Sequence, residues 1–259
     1  MTVSTLRPRS VTEIVDAAFQ LFRAHAAAFI TCSAVAYVPS LLVRVLVVRD
    51  ASRFETADLT MLGDIARLSA YSTLVSAVSY ALMSSLIAVT ASQAYLGEPV
   101  DIGVAAGRML RRLPSLLLAT LVLGALTLAG LALFLAPAMY VTARCFALTP
   151  ALMLEDLGVR AALARSAELS QGRKWHVLNT LGLVLLIYFV VLVGVAAASS
   201  LVGGFLVQAL SASLVTVVFW PVVAITAVLL YYDARIQREG LDIEMMAAAL
   251  EPVAGTAVP

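Results

Sequence analysis

Long stretches without charged residues run along the chain, and short polar segments separate them. Residues 24–43, 68–97, 113–143 and 175–232 contain no Asp, Glu, Lys or Arg. A transmembrane helix needs about 20 apolar residues, and a charge at the bilayer centre costs ~2.5–3.5 kcal/mol. Each stretch is therefore long enough to cross a membrane as a helix. The last one has room for two helices, which the paired serines and glycines of residues 199–204 would separate.

The middle of the chain is harder to divide, because residues 113–154 contain a single charge, that of Arg144. As one helix this segment would extend about 63 Å, twice the thickness of the hydrocarbon core. Pro137 lies near its centre and predicts a hairpin of two spans. One long span followed by a segment that does not cross is the alternative. With the hairpin, the chain has six spans, at about residues 24–43, 70–96, 113–136, 137–154, 176–199 and 205–232.

The distribution of basic residues favours six spans over five. With six spans, the four polar segments on one side hold twelve basic residues and the opposite side holds three. The twelve lie in residues 1–23, 98–112, 155–174 and 233–259, and the three are Arg49, Arg53 and Arg67. Cytoplasmic loops carry the excess of Lys and Arg, so both termini are predicted to be cytoplasmic. Five spans would place most of the basic residues outside.

Each predicted hairpin follows an amphipathic segment. Ser10-Val11-Thr12-Glu13 has the S-x-x-E pattern of a capping box, and the apolar residues after it share one face of a helix. Asp101 can cap a second helix at residues 102–112, and Gly158 can open a third at residues 159–170. Such helices lie in the membrane interface when they directly precede a span.

The fold predicted from these patterns is a single all-α membrane domain over residues 1–250. It consists of three units, each a cytoplasmic amphipathic helix followed by a transmembrane hairpin. A short helix at residues 241–250 follows the last span, and residues 251–259 are predicted to form a disordered tail.

The composition excludes several classes of protein. Hydrophobic residues make up 62% of the chain, charged residues 13%, and the mean hydropathy is +0.98. Soluble domains carry about 25% charged residues, so a soluble enzyme, a DNA-binding protein and a disordered chain are excluded. The net charge is +1 and no polybasic block occurs, so nucleic acid is not an expected partner. Cys32 and Cys145 each stand alone in an apolar run, which predicts neither a disulfide framework nor a metal site.

Catalytic, nucleotide-binding and cofactor motifs are missing from the chain. We therefore expect a protein that is not an enzyme and has no cofactor. Three polar residues in the spans, Arg144, Asn179 and Gln208, are candidate contacts for a lipid or solute. The alternatives are that Arg144 extends to the membrane surface and that the two amides hydrogen-bond between helices. Arg44, at the end of the first span, is expected to extend to the surface too.

Three stretches resemble a bacterial family: Ile14–Arg23, Ala151–Trp175 and Leu230–Glu244. The family is the membrane domain attached to some glycerophosphoryl diester phosphodiesterases, with its stand-alone, YciC-like relatives. The matching positions include Glu155, Gly158, Arg165, Ser166, Gly172, Trp175, Tyr231, Tyr232, Asp233, Arg235, Glu239 and Gly240, together with Pro137 and Tyr140. The resemblance implies a multi-pass module of the bacterial inner membrane. The phosphodiesterase activity of fused relatives belongs to a separate soluble barrel, whose His-Arg-Gly motif does not occur in these residues.

Six charged residues are predicted to share the cytoplasmic face: Arg165, Arg173, Lys174, Asp233, Arg235 and Glu239. They are candidates for ion pairs between the units or for a lipid headgroup site. The function expected is a non-enzymatic integral protein of the inner membrane that associates with lipids or scaffolds a membrane protein partner. The alternative is a transporter of a small solute or lipid with a path between the units. A cavity reaching Arg144, Asn179 or Gln208 would favour transport, and a closed apolar interior would favour scaffolding.

Overall fold

The computed structural model describes residues 9–51 and 59–239, and the regular structure of those residues is entirely α-helical. Its helices are α1 (Val11–Ala24), α2 (Ala26–Ala51), α3 (Leu59–Leu96), α4 (Ile102–Leu133), α5 (Leu135–Arg144), α6 (Leu148–Leu154), α7 (Val159–Leu169), α8 (Lys174–Val202) and α9 (Phe205–Glu239). The predicted helix at 241–250 and the predicted tail at 251–259 lie outside the described residues.

The first helix begins with the capping box that the sequence predicts. The backbone N–H of Glu13 donates to Oγ of Ser10 (3.3 Å), and the N–H of Ser10 donates to Oε2 of Glu13 (2.8 Å). Ile14, Val15 and Ala18 share one face of α1 and are buried. Because α1 packs against α8 and α9, its apolar face is covered by other helices of the bundle.

Five helices of the described residues are long and apolar enough to cross a membrane. They are α2, α3, α4, α8 and α9, and they contain the predicted spans 24–43, 70–96, 113–136, 176–199 and 205–232 apart from a few terminal residues. The stretches without charged residues predict these helices from the sequence, and the structure is helical over nearly all of the same residues. The protein is therefore an all-α, multi-pass membrane protein.

The predicted span at residues 137–154 is not a continuous helix. It is divided between α5, with 10 residues, and α6, with 7, so neither alone crosses a bilayer. Oγ of Ser166 donates to the carbonyl oxygen of Arg144 (2.9 Å), and the N–H of Ala147 donates to that same Oγ (3.0 Å). The Ser166 hydroxyl thus satisfies backbone groups that the interruption leaves without helical partners.

A hairpin does form after α4, but it turns at Phe134 and not at Pro137. Pro137 instead lies in the first turn of α5, where a missing N–H costs no helical hydrogen bond. A methyl group added at Gly130 would lie only 2.9 Å from the backbone nitrogen of Ala138, so the two helices touch there. Eighteen residues before Gly130 and eighteen residues after Ala138, Nη2 of Arg112 lies 3.0 Å from Oδ1 of Asp156. Helices α5 and α6 therefore run back antiparallel to α4 over about 27 Å.

Two further boundaries differ from the prediction. The amphipathic segment 102–112 is not a separate helix, because α4 continues from Ile102 to Leu133 without a break. Asp101 caps it as predicted, since Oδ1 accepts the N–H of Gly103 (2.7 Å) and of Val104 (3.1 Å). Helix α3 begins at Leu59, eleven residues before the predicted start of the second span. Helix α7 is separate, as predicted, so the regular three-unit pattern is only partly present.

The last helix is the most buried of the five long helices. It packs against α1, α2, α3 and α8, and its central residues belong to the main apolar core. Helices α4 and α8, in contrast, are buried over a much smaller share of their length. The bundle is thus arranged around α9, and the side chains of α9 can reach most of the other elements.

Candidate functional site

Most of the ionisable side chains of the described residues collect at one end of the bundle, which we call the charged end. It is formed by the start of α1, the end of α3, the start of α4, α7 and the end of α9. The backbone N–H of Arg9 donates to Oδ1 of Asp233 (3.4 Å), and the N–H of Asp101 donates to Oε1 of Gln93 (3.1 Å). The first contact joins the two ends of the described chain, and the second closes the turn between α3 and α4. The start of α9, 28 residues before Asp233 in the same helix, lies at the other end of the bundle, which we call the opposite end.

A network of charged groups centred on Arg165 joins α6, α7 and α9. Nε of Arg165 donates to both carboxylate oxygens of Glu155 at 3.0 Å, and Nη1 of Arg165 pairs with Glu239. Nε of Arg235 donates to Oε2 of Glu239 at 3.0 Å, and the hydroxyl of Tyr231 donates to Oε1 of Glu155 at 2.6 Å. We call these five residues the Arg165 network. The hydrogen bond that Arg165 donates to Glu239, together with those it donates to Glu155, raises the pKa of Arg165 above its ordinary value despite partial burial.

A second ion pair lies beside this network. Nη2 of Arg173 is 2.6 Å from Oδ2 of Asp233, which is 6% exposed. Nε2 of Gln237 donates to the same oxygen at 3.0 Å. Together with the N–H of Arg9, these groups supply three donors to one carboxylate. The pair therefore connects the chain before α1 and the α7–α8 turn to α9.

The remaining two basic candidates, Arg144 and Lys174, meet at a tyrosine on the surface of the bundle. Nη1 of Arg144 donates to the hydroxyl of Tyr140 at 3.2 Å, and Nζ of Lys174 lies 4.3 Å from the centre of the Tyr140 ring. We call these three residues the Tyr140 cluster. In the part of the chain that the structure describes, neither cation has an acidic partner. Tyr140 and Arg144 are exposed, so the cluster presents two uncompensated positive charges at the bundle surface.

The two neutral candidates are separated by the structure. Asn179 is exposed on α8 and faces away from the bundle interior. Gln208 is half-buried near the start of α9 and lines a cavity of about 650 Å³ between α2, α3, α8 and α9. Of the three polar span residues, Gln208 is the one that lines this cavity.

The described residues that line this cavity, which we call the Arg44 cavity, include one cation and several hydroxyl groups. Its lining comprises Arg44, Ser72, Thr73, Ser76, Ala77, Tyr80, Ala196, Gln208, Ala209 and Ala212. Arg44 is half-buried, and its Nε is fully enclosed without a hydrogen-bond partner. The sequence predicts that Arg44 extends to the membrane surface, but the structure places part of its guanidinium against internal space.

The Arg44 cavity lies toward the opposite end of the bundle. Oγ of Ser92 is 2.6 Å from the hydroxyl of Tyr232, which marks the charged end on α3. Ser72 precedes Ser92 by twenty residues of the same helix, or about 30 Å. On the side nearer the charged end, the rings of Tyr80 and Trp220 are in contact, with centroids 4.4 Å apart. Nε1 of Trp220 donates to Oγ of Ser84 at 3.1 Å and holds the indole in place.

The six charged residues predicted for the cytoplasmic face do not include Glu155, and the sequence did not predict which groups pair. The spacing of Tyr140 and Arg144, four residues apart on a helix, was a signal for their contact. The approach of Lys174 had no such signal, because it depends on how α5 packs against α8. The Arg44 cavity was also unpredictable, since four helices from both halves of the chain form it. Among the described residues, no three His, Cys, Asp or Glu side chains are grouped as metal ligands.

Comparison of the chain with protein-family models, with curated proteins and with solved structures returned no match. The resemblance to the phosphodiesterase-associated membrane domain therefore stays a prediction. The function is accordingly argued from the geometry of the Arg165 network, the Tyr140 cluster and the Arg44 cavity.

Proposed function

We propose that this chain is a non-enzymatic, lipid-associated protein of the bacterial inner membrane that crosses the bilayer six times. The Tyr140 cluster carries this proposal, because its two cations have no acidic partner in the described residues and lie at the surface of the bundle. Anionic phospholipid headgroups provide the charge that such a pair requires. We place lipid association before transport because the cavity that Gln208 lines is bounded toward the charged end by the contact of Tyr80 with Trp220.

The sixth crossing in this proposal is the broken helix α5–α6. Two contacts support this crossing, that of Gly130 with Ala138 and that of Arg112 with Asp156. Between them, α5 and α6 run back along α4 and span the same depth as residues 112–130 of α4. Broken helices are tolerated at membrane depth where the protein itself buries the interruption. Cys145, Phe146 and Ala147, the residues between α5 and α6, are all buried.

The orientation follows from the charged end. An even number of crossings brings the start of α1 and the end of α9 to the same side, as the contact between Arg9 and Asp233 requires. Basic residues are concentrated at that end, so we place it in the cytoplasm. The Tyr140 cluster lies close to the charged end, because Oγ of Ser166 donates to the carbonyl oxygen of Arg144. Ser166 directly follows Arg165 of the network. The ligand of the cluster is then an anionic lipid of the cytoplasmic leaflet.

The Arg165 network supports a role without acid–base chemistry. Glu155 and Glu239 each accept hydrogen bonds or ion pairs from arginines, and Arg165 is held between them. Groups paired in this way stabilise the junction of α6, α7 and α9 and are not free to transfer protons. We therefore assign the network a structural role in fixing the surface that carries the Tyr140 cluster.

The proposal is tested by lipid binding to the full chain in a neutral detergent. Phosphatidylglycerol and phosphatidylcholine are added together, and native mass spectrometry measures the retained ratio. We expect the wild type to retain phosphatidylglycerol preferentially. The double substitution Arg144→Gln/Lys174→Gln should weaken that preference by ~2 kcal/mol, or about 30-fold, at ~1 kcal/mol per basic residue.

The matched control removes two other cations from the charged end, through Arg111→Gln/Arg160→Gln. Both arginines are exposed, and no acidic partner of either was found in the described part of the chain. If the control lowers the preference as much as the cluster variant does, diffuse surface charge explains the binding and the assigned site is wrong.

A further inference from the structure

We propose that the Arg44 cavity is a second binding site, for a monoanionic amphiphile with one carboxylate or phosphodiester group and an apolar body. The site is independent of the Tyr140 cluster, because the two lie toward different ends of the bundle. Its ligand is selected by three properties of the cavity: the charge of its lining, the chemistry of its walls and the direction in which it is closed.

The charge of the lining calls for one anion. Among the described residues that line the cavity, Arg44 is the single cation and none is acidic. Within the described residues Arg44 has no ion-pair partner, and its enclosed Nε has no hydrogen-bond acceptor. An enclosed donor without a partner is costly, and a guanidinium matches the geometry of carboxylate and phosphate oxygens. A single negative group of this kind would balance the charge of Arg44 and accept a hydrogen bond from its Nε.

The walls divide into a polar and an apolar part. Ser72, Thr73 and Ser76 on α3 and Gln208 on α9 supply neutral hydrogen-bonding groups. Most of the remaining wall consists of alanine side chains from α3, α8 and α9, which offer an apolar surface without filling the space. A volume of about 650 Å³ lies inside the ~300–1,000 Å³ range of small-molecule sites. The lining therefore matches a molecule with a charged head and an apolar body.

The cavity is bounded toward the charged end by an aromatic contact. Tyr80 belongs to the lining, and its ring lies against Trp220, which Ser84 holds through a hydrogen bond. Tyr188 is also near Trp220, with ring centroids 6.1 Å apart, and its hydroxyl is 3.1 Å from Oγ1 of Thr216. These aromatic residues form the wall of the cavity toward the charged end. The ligand therefore enters and leaves on the side of the opposite end, as at a binding site and not along an open channel.

Trp220 also provides a reporter for the test. The chain has two tryptophans, so Trp175→Phe leaves Trp220 as the only one. The full chain with this substitution is placed in nanodiscs of unbrominated phosphatidylcholine, and brominated probes that quench tryptophan on contact are titrated in. The probes are brominated phosphatidylglycerol, brominated phosphatidylcholine and brominated stearate. We expect an anionic probe to quench Trp220 at lower concentration than brominated phosphatidylcholine does.

Arg44→Gln should weaken quenching by the anionic probe about tenfold or more, because it removes a charge-assisted hydrogen bond. Arg111→Gln, which removes the same charge at the charged end, should leave quenching unchanged. Ala212→Leu keeps Arg44 but fills the cavity, and it should weaken all three probes. This second variant keeps the proposal testable if Arg44→Gln impairs folding, which its thermal midpoint reports.

The probes also distinguish the source of the ligand. Quenching by brominated phosphatidylglycerol identifies a lipid of the bilayer, whereas quenching by brominated stearate alone identifies a free carboxylate. Equal quenching by anionic and zwitterionic probes, or a response that Arg44→Gln leaves unchanged, would overturn the proposal. Absence of quenching by every probe would overturn it as well.

Discussion

At the scale of single residues, the charged side chains differ sharply in how much protein surrounds them. Asp233 is 6% exposed and accepts three donors, from Arg173, Gln237 and the backbone of Arg9. Asp156, in its ion pair with Arg112, is 55% exposed. A buried ion pair is costly to break because the remaining charge stays buried, whereas an exposed pair contributes ~0–1 kcal/mol.

We therefore predict that Asp233→Asn lowers the free energy of unfolding by ~2–3 kcal/mol. This is below the ~3–5 kcal/mol for breaking a fully buried pair, because Arg173 retains some access to solvent. Asp156→Asn serves as the control and should cost less than ~1 kcal/mol. Thermal unfolding of both purified variants measures the difference. Equal effects of the two substitutions would show that burial does not decide the strength of these pairs.

At the scale of helices, the close approach of α4 and α5 depends on a residue without a side chain. A methyl group at Gly130 would lie 2.9 Å from the nitrogen of Ala138 and 3.0 Å from its Cα. Both neighbours are backbone atoms, which cannot rotate away as a flexible side chain would. Gly130 therefore sets the distance between the two arms of the hairpin.

Gly130→Ala should destabilise the protein by ~1–3 kcal/mol, the usual cost of forcing atoms into a packed interface. Gly124→Ala is the matched control, because a methyl group at Gly124 meets nothing within 4 Å. The thermal midpoints of the two variants in detergent provide the measurement. A hairpin that tolerates alanine at both positions would contradict the close contact.

The sequence predicted those helices that are marked by long stretches without charged residues. The capping groups of Ser10 and Asp101 and the long apolar helices were predictable, because each depends on neighbouring residues. The division of residues 137–154 into α5 and α6 was not, since the hydroxyl that bridges the interruption belongs to Ser166 in α7. Ion-pair partners and cavities depend on tertiary packing in the same way, so the sequence could suggest the charged groups but not their contacts.

At the scale of the whole molecule, the number of crossings decides which surfaces meet the cytoplasm. With six crossings, the α7–α8 turn lies on the same side of the membrane as the start of α1 and the end of α9. With five crossings, α5 and α6 would not cross the membrane. The α7–α8 turn would then lie on the side opposite to the start of α1 and the end of α9. Two contacts favour six crossings, because both hold the α7–α8 turn against the end of α9. Arg173 pairs with Asp233, and Nη2 of Arg238 donates to the carbonyl oxygen of Gln171 (2.5 Å).

Cysteine labelling in intact cells tests this topology. In a background lacking Cys32 and Cys145, we expect Phe134→Cys to react with a membrane-impermeant thiol reagent from outside. Gln171→Cys should react only after the cells are permeabilised. Both positions are exposed in the structure. Labelling of Gln171→Cys in intact cells would establish five crossings and would remove the proposed orientation of the Tyr140 cluster.

The central position of α9 has a consequence for how the protein is made. Ribosomes release the N-terminal helices first, yet the helix that contacts α1, α2, α3 and α8 is synthesised last. Until it emerges, Glu155 and Arg173 lack the partners on α9 that complete their contacts. The earlier helices therefore lie in the bilayer before their contacts with α9 can form, and the bundle is completed only after α9 has been synthesised. A chain truncated before α9 would leave the other helices without their common neighbour and would be a natural target for membrane proteases.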